Sequence, residues 1–180
     1  VVYLSTDTIF DSDDKLLGNL NFSDNLSFPL YTDIEHSLTT TISGVQEGDY
    51  YIIVLADARN TFYELNENNN RGVTMMPMHV ELPILPFNTP VAFDLTNFQY
   101  KDFKLPVGNN ISETVRIYVR SNDSIMGAVN NIYVLKDGVG TNLDYDISTD
   151  GQMTSNSELY IARTEAGYYG VSVFGYSPNR

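Results

Sequence analysis

The residues of this 180-residue chain whose types and spacing suit chemistry are oxygen-bearing side chains. Asp7, Asp11, Asp13 and Asp14 crowd one acidic stretch, and Asp57, Glu64 and Glu67 fall in a second. Calcium takes about six to eight oxygen ligands, so both stretches are candidate calcium sites. Neither has the helix-flanked loop and bidentate Glu of an EF-hand. The competing reading is a solvated loop that bonds to itself, because Asp and Asn side chains also cap turns. Asn66, Asn69 and Asn70 fit that reading as loop-stapling amides. Catalytic residues are not expected. His36 lies in a polar stretch and His79 between Met78 and Val80, far apart in sequence. A nucleophile elbow, a phosphate-cradling glycine loop and HExxH are all missing. Asp144 and Asp146 alternate with apolar residues, which a solvated strand face explains without glycosidase chemistry. Four sequons, at Asn21, Asn25, Asn110 and Asn122, are acceptors if the source glycosylates such sites.

The elements that must position these residues read as strands. Residues 50–56 (YYIIVLA) are apolar on both pleat faces, which predicts a central strand covered on both sides. It runs into turn chemistry at 57–60, a short strand at 61–65 and the amide cluster at 66–70. Upstream, 1–5 reads as a strand, 6–14 as an acidic turn, 23–34 as a half-buried edge strand carrying Pro29, and 37–43 as a Thr-rich strand. Residues 72–80 read as a closing strand, with Met75, Met76 and Met78 as core filler. Three prolines within 81–90 predict a stiff extended linker.

Beyond the linker, strands are expected at 91–95 and 97–105, then a turn at 106–110. Residues 114–120 (TVRIYVR) alternate strictly, with Val115, Ile117 and Val119 opposed to Arg116, Tyr118 and Arg120. Further strands are expected at 132–135, 142–148, 157–163 and 166–175. The chain is therefore all-β, with two tandem β-sandwich modules over 1–80 and 91–180 joined by residues 81–90.

Composition narrows the function. The sequence is 42% hydrophobic with 13 Tyr and 9 Phe, enough for packed cores. It has no Cys, which removes disulfides, thiol nucleophiles and thiolate metal sites together. A formal charge of −13, with ten Lys and Arg, argues against nucleic-acid binding, which needs cations on phosphates. No run approaches the length of a membrane span, and no signal peptide is visible.

Two resemblances add to this. Asp57-Ala58 followed by Glu64-x-Asn66-Glu67-x-Asn69-Asn70 resembles the end of the CARDB module, the cell-adhesion-related domain of bacterial surface proteins. Val2-Tyr3-Leu4-Ser5-x-Asp7 and Phe10-Asp11-Ser12-Asp13-Asp14-Lys15-Leu16-Leu17-Gly18 resemble its middle. The resemblance covers about residues 1–80 and implies an immunoglobulin-like sandwich with an extracellular, non-catalytic role. That module has strands before the one matching residues 1–5, where this chain starts. The expectation is either a fragment or a first sandwich completed by strands from elsewhere, as in a filament built by strand exchange. Residues 90–177 resemble the bacterial pre-peptidase C-terminal domain, a small jelly-roll-like sandwich, with 166–175 as its last strand. Where that family often has Asp, this chain has Asn130-Asn131. The resemblance implies a targeting, binding or spacing module.

Two function classes follow. The first is a structural or adhesion module of a surface protein or filament, whose partners are other copies or neighbouring modules. The second is a glycan- or protein-binding module of a secreted protein, with Tyr118, Tyr169 and Tyr176 as a sugar platform and calcium as a possible ligand. No cofactor is required by either.

Overall fold

A computed structural model describes residues 1–20, 35–61, 63, 66, 68–109, 113–122 and 128–176. The strand expected at 23–34, and Asn21, Asn25, Glu64, Glu67 and Asn110, lie outside the described residues. Those described are all-β, in antiparallel sheets with no helix. The chain divides into two compact units, Val1–Ile42 with Glu47–Val80, and Ser43–Gln46 with Glu81–Arg180.

The first unit is one sheet of β1 (Val2–Ser5), β2 (Lys15–Gly18), β3 (Gly48–Leu55), β4 (Arg71–Val73) and β5 (Met78–Val80). The order is β2-β1-β3-β4, with β5 also on β3. Leu4 opposes Ile52 and Tyr3 opposes Ile53, so β3 is central, as the apolar run predicts. Leu4 and Ile53 are its buried anchors. Among the described residues β3 is not covered on both faces, since Val54 is 44% exposed.

The closing strand is split. Four residues separate Val73 from Met78, where two separate their β3 partners Ile53 and Tyr50. The surplus is extruded as a bulge. Thr74 bridges it, its N–H donating to Ile52 O and its Oγ1 accepting from Ile52 N. Met75 and Met76 are left 99% and 78% exposed, so they are bulge tips and not core filler. Residues 37–43 form no strand. Instead Leu38 lies over Gly18, where a Cβ would stand 3.1 Å from its Cδ2. Thr40 Oγ1 donates to Leu17 O. Thr61 and Tyr63 also lie outside any strand.

The second unit contains β6 (Tyr100–Val107), β7 (Val115–Tyr118), β8 (Val129–Lys136), β9 (Ile147–Ser148), β10 (Glu158–Ile161) and β11 (Gly167–Tyr176). A four-stranded sheet runs β6-β11-β8-β9, and β10 pairs with β7 as a second layer. Phe103, Leu105, Ile132, Val134 and Val171 from the larger sheet meet Ile117, Leu159 and Ile161 from the smaller. Each such side chain contributes about 1.5–3 kcal/mol by leaving water. The result is a two-layer β-sandwich.

Local chemistry moves several boundaries. Residues 82–85 of the Pro-rich stretch are built into this unit. Leu82 is buried, Ile84 bridges Lys104 in parallel, Pro83 O accepts from Lys104 N and Leu85 N donates to Lys104 O. Pro106 stays inside β6, which is an edge strand where a missing N–H costs little. The alternating stretch 142–148 is strand only at β9. Thr141 Oγ1 accepts from the N–H groups of Leu143 and Asp144, and this local bonding turns the chain before it can pair. Leu143 is consequently 90% exposed.

Candidate functional site

The acidic stretch between β1 and β2 points its carboxylates at its own backbone. Asp7 Oδ1 accepts from Ile9 N–H at 2.6 Å, Asp11 Oδ1 from Asp13 N–H at 2.9 Å, and Asp14 Oδ2 from Asp11 N–H at 3.0 Å. The first two are Asx-type turns, favoured because a short side chain reaches the amide two residues on, and in the third the side chain reaches back three residues. Arg71 at the start of β4 donates to Thr8 O and ties this loop to the sheet.

The loop after β3 uses the same device. Asp57 Oδ1 accepts from both Thr61 N–H, at 2.9 Å, and Thr61 Oγ1, at 2.8 Å. Asp57 and Asn60 hold left-handed φ values of 36° and 50°, a region that Asn and Asp tolerate better than most side chains. Asn66 Oδ1 accepts from Asn68 N–H, Asn70 O accepts from Ala56 N–H, and Asn69 is exposed. A hollow of about 240 Å³ remains, lined by Asp57, Asn60, Asn68, Asn70 and Arg71 among others. Thr61 and Arg71 are the partners that spacing alone did not reveal.

Among the described residues, no three His, Cys, Asp or Glu side chains come together as a metal site. Asp7, Asp11, Asp13 and Asp57 are thus not gathered into one cluster of that kind. His36 is exposed outside any strand. His79 Nδ1 lies 2.7 Å from Asp49 Oδ1, its partner in the β3–β5 register, and both side chains are well exposed. Asn122 is exposed.

The second unit carries a charged and aromatic face on β7 and β10. Arg116, Tyr118 and Arg120 point outward, as their alternation predicts, and Ile117 is buried. Glu158, opposite Tyr118 in the register, accepts from Arg116 Nη2 at 2.5 Å and from Arg120 Nη2 at 3.3 Å. Both guanidinium groups lie over the Tyr118 ring, at 5.2 and 5.0 Å from its centroid. Hydrogen bonds from Arg116, then Arg120, hold the Glu158 carboxyl below its ordinary range, and the same Glu158 contact raises Arg116. Tyr160 donates its hydroxyl to Glu158 Oε1. Glu158 and Tyr160 were not singled out in the sequence, although ELYI alternates them against Leu159 and Ile161.

The platform of Tyr118, Tyr169 and Tyr176 is not assembled. Tyr169 belongs to the core, 6% exposed, with its hydroxyl accepting from Glu165 N–H. Tyr176 packs edge-on against Phe98, their centroids 5.3 Å apart.

The order of these features in the first unit is acidic turn, central strand, then a polar loop closed by amides. Residues 5–73 match the CARDB family model. The CARDB segment takes in both self-bonded loops and β2 through β4, together with the last residue of β1. CARDB is a cell-adhesion-related domain family of bacteria with an immunoglobulin-like fold. The match ends at residue 73, and nothing found bears on the pre-peptidase resemblance of the second unit. No curated protein and no solved structure matches the chain.

Proposed function

We propose that this chain is a non-catalytic structural or adhesion module of an extracellular prokaryotic surface protein or filament. The observation that carries the reading is the CARDB match over residues 5–73. In this reading the second unit is a pre-peptidase-like sandwich, and neighbouring modules or other copies are the partners. The self-bonded loops fit it, because Asp7 and Asp57 accept hydrogen bonds from the chain's own backbone and so fix its turns. Antibodies raised against the chain test it. They are expected to label intact cells of the source organism, and labelling that appears only after permeabilisation overturns it.

A second reading, a glycan- or protein-binding accessory module, draws on the exposed Tyr118 and Tyr160 among Arg116, Arg120 and Glu158. A glycan array with no hit removes its glycan arm. Its calcium arm assigns Asp7, Asp11, Asp13, Asp57, Glu64 and Glu67 as ligands. A melting temperature that does not move on adding calcium removes that arm, and a clear rise supports it.

A further inference from the structure

The β4–β5 bulge holds two thioethers in solvent. Met75 and Met76 are 99% and 78% exposed. A long apolar side chain kept in water gives up the burial that draws Met into cores, so packing does not account for the pair. What a thioether offers in water is a soft sulfur donor.

The bulge is fixed at both ends. Thr74 bridges to Ile52 through its N–H and its Oγ1, and Met78 opposes Tyr50 in the β3–β5 register. Pro77 locks one φ angle between these points. His79 follows three positions after Met76, a span of at most about 11 Å. Its Nδ1 lies 2.7 Å from Asp49 Oδ1, and the two side chains are 64% and 67% exposed. A carboxylate at one ring nitrogen places the proton there and leaves Nε2 as the lone-pair donor, the arrangement found behind metal-bound imidazoles. Met78 starts from the opposite pleat face to His79, as successive strand residues do. Among the described residues His, Cys, Asp and Glu form no metal cluster, but thioether sulfur lies outside that donor set.

We propose that Met75, Met76 and His79 bind one soft monovalent metal ion, Cu(I) or its analogue Ag(I), with Asp49 as the positioning residue behind His79. Thioether and imidazole donors match such an ion and select against calcium and magnesium, which take oxygen ligands. The three rotatable bonds of each Met let the sulfurs close on the ion while the β3 pairings hold the backbone. The Asp49 carboxylate, in a chain of net charge −13, favours a bound cation. The site stands apart from the adhesion reading and from its calcium arm, whose ligands are oxygens.

Methionine-methyl NMR of the full chain tests the proposal, with Ag(I) added in chloride-free buffer and Cu(I) added anaerobically with ascorbate. Of the five methionines, the signals of Met75 and Met76 are expected to move and to saturate at one ion per chain. Met75→Leu with Met76→Leu keeps the apolar volume and removes both sulfurs. It is expected to weaken binding at least about 100-fold, the upper end of what losing a partner behind a ligand costs. His79→Ala is expected to weaken binding as well. Asp49→Ala is expected to cost about tenfold and to move the neutral His79 tautomer away from Nδ1–H, read in the imidazole nitrogen shifts. If the double Leu variant does not fold, the methyl signals of the native chain decide. Absence of saturable binding overturns the proposal, as does equal binding by the double Leu variant. Equal movement of all five methyl signals means unselective thioether contact and also overturns it.

Discussion

At the residue scale, short polar side chains do two jobs that look alike in sequence. Asp7, Asp11 and Asp57 carry the charge of cation ligands, yet each spends an oxygen on a backbone amide within four residues. Spacing of two to four residues is what an Asx turn needs, and it is also the spacing of a loop ligand set, so the sequence alone leaves both open. Glu158 is the reverse case. Its partners Arg116 and Arg120 lie about forty residues away, at separations of 42 and 38, so no local pattern reveals them. Its carboxyl is held below the ordinary value of 4.5. A depressed carboxyl contributes stability that is present above that value and lost as pH falls through the lower folded value. Glu158→Gln is therefore expected to lower the urea midpoint at pH 7, with a narrower gap to the native chain at pH 3. A gap of the same size at both values would mean that the pair contributes nothing through its charge. The site is solvent-exposed, so the effect is expected to shrink in high salt.

At the element scale, periodicity marks a strand only where a partner strand is in reach, since 142–148 alternates as strictly as 114–120 yet pairs only at Ile147–Ser148. Residues 114–120 and 166–175 declare themselves, because one apolar residue per two marks a half-buried strand and a continuous apolar run marks a buried one. The β4–β5 bulge was not legible, since counting residues against β3 requires the pairing itself. It predicts that Met75→Ser with Met76→Ser leaves stability within about 0.5 kcal/mol by urea unfolding, as for other exposed sites. A larger loss would place these side chains against apolar surface. Gly170 in β11 is the opposite kind of position. A Cβ there would stand 1.9 Å from Gly138 O, a backbone atom that cannot swing aside. Gly170→Ala is expected to cost about 3 kcal/mol, at the upper end of overpacking, by urea unfolding. Little change would show that the turn at Gly138 moves freely.

At the scale of the whole molecule, the chain has two units, and the ten-residue core cluster of Phe103, Ile132, Val134, Leu159 and their neighbours belongs to the second. Ile132 has no exposed surface. Ile132→Ala is expected to cost about 2–5 kcal/mol, the range for emptying a packed core position. Scanning calorimetry of the full chain is expected to show two transitions, only one of which this substitution lowers. A single transition that shifts as a whole would mean that the units unfold as one cooperative body. The sequence by itself determined that the chain is all-β, that two polar loops flank a central apolar strand, and that Arg116, Tyr118 and Arg120 share an exposed face. These follow from period-two patterning and turn chemistry, which are local. Only the tertiary structure decided that Tyr169 is core, that residues 82–85 belong to a sheet edge, and that Glu158 joins two arginines. Each of those depends on which strands become neighbours, and strand pairing joins residues too far apart in the chain for local pattern to reach.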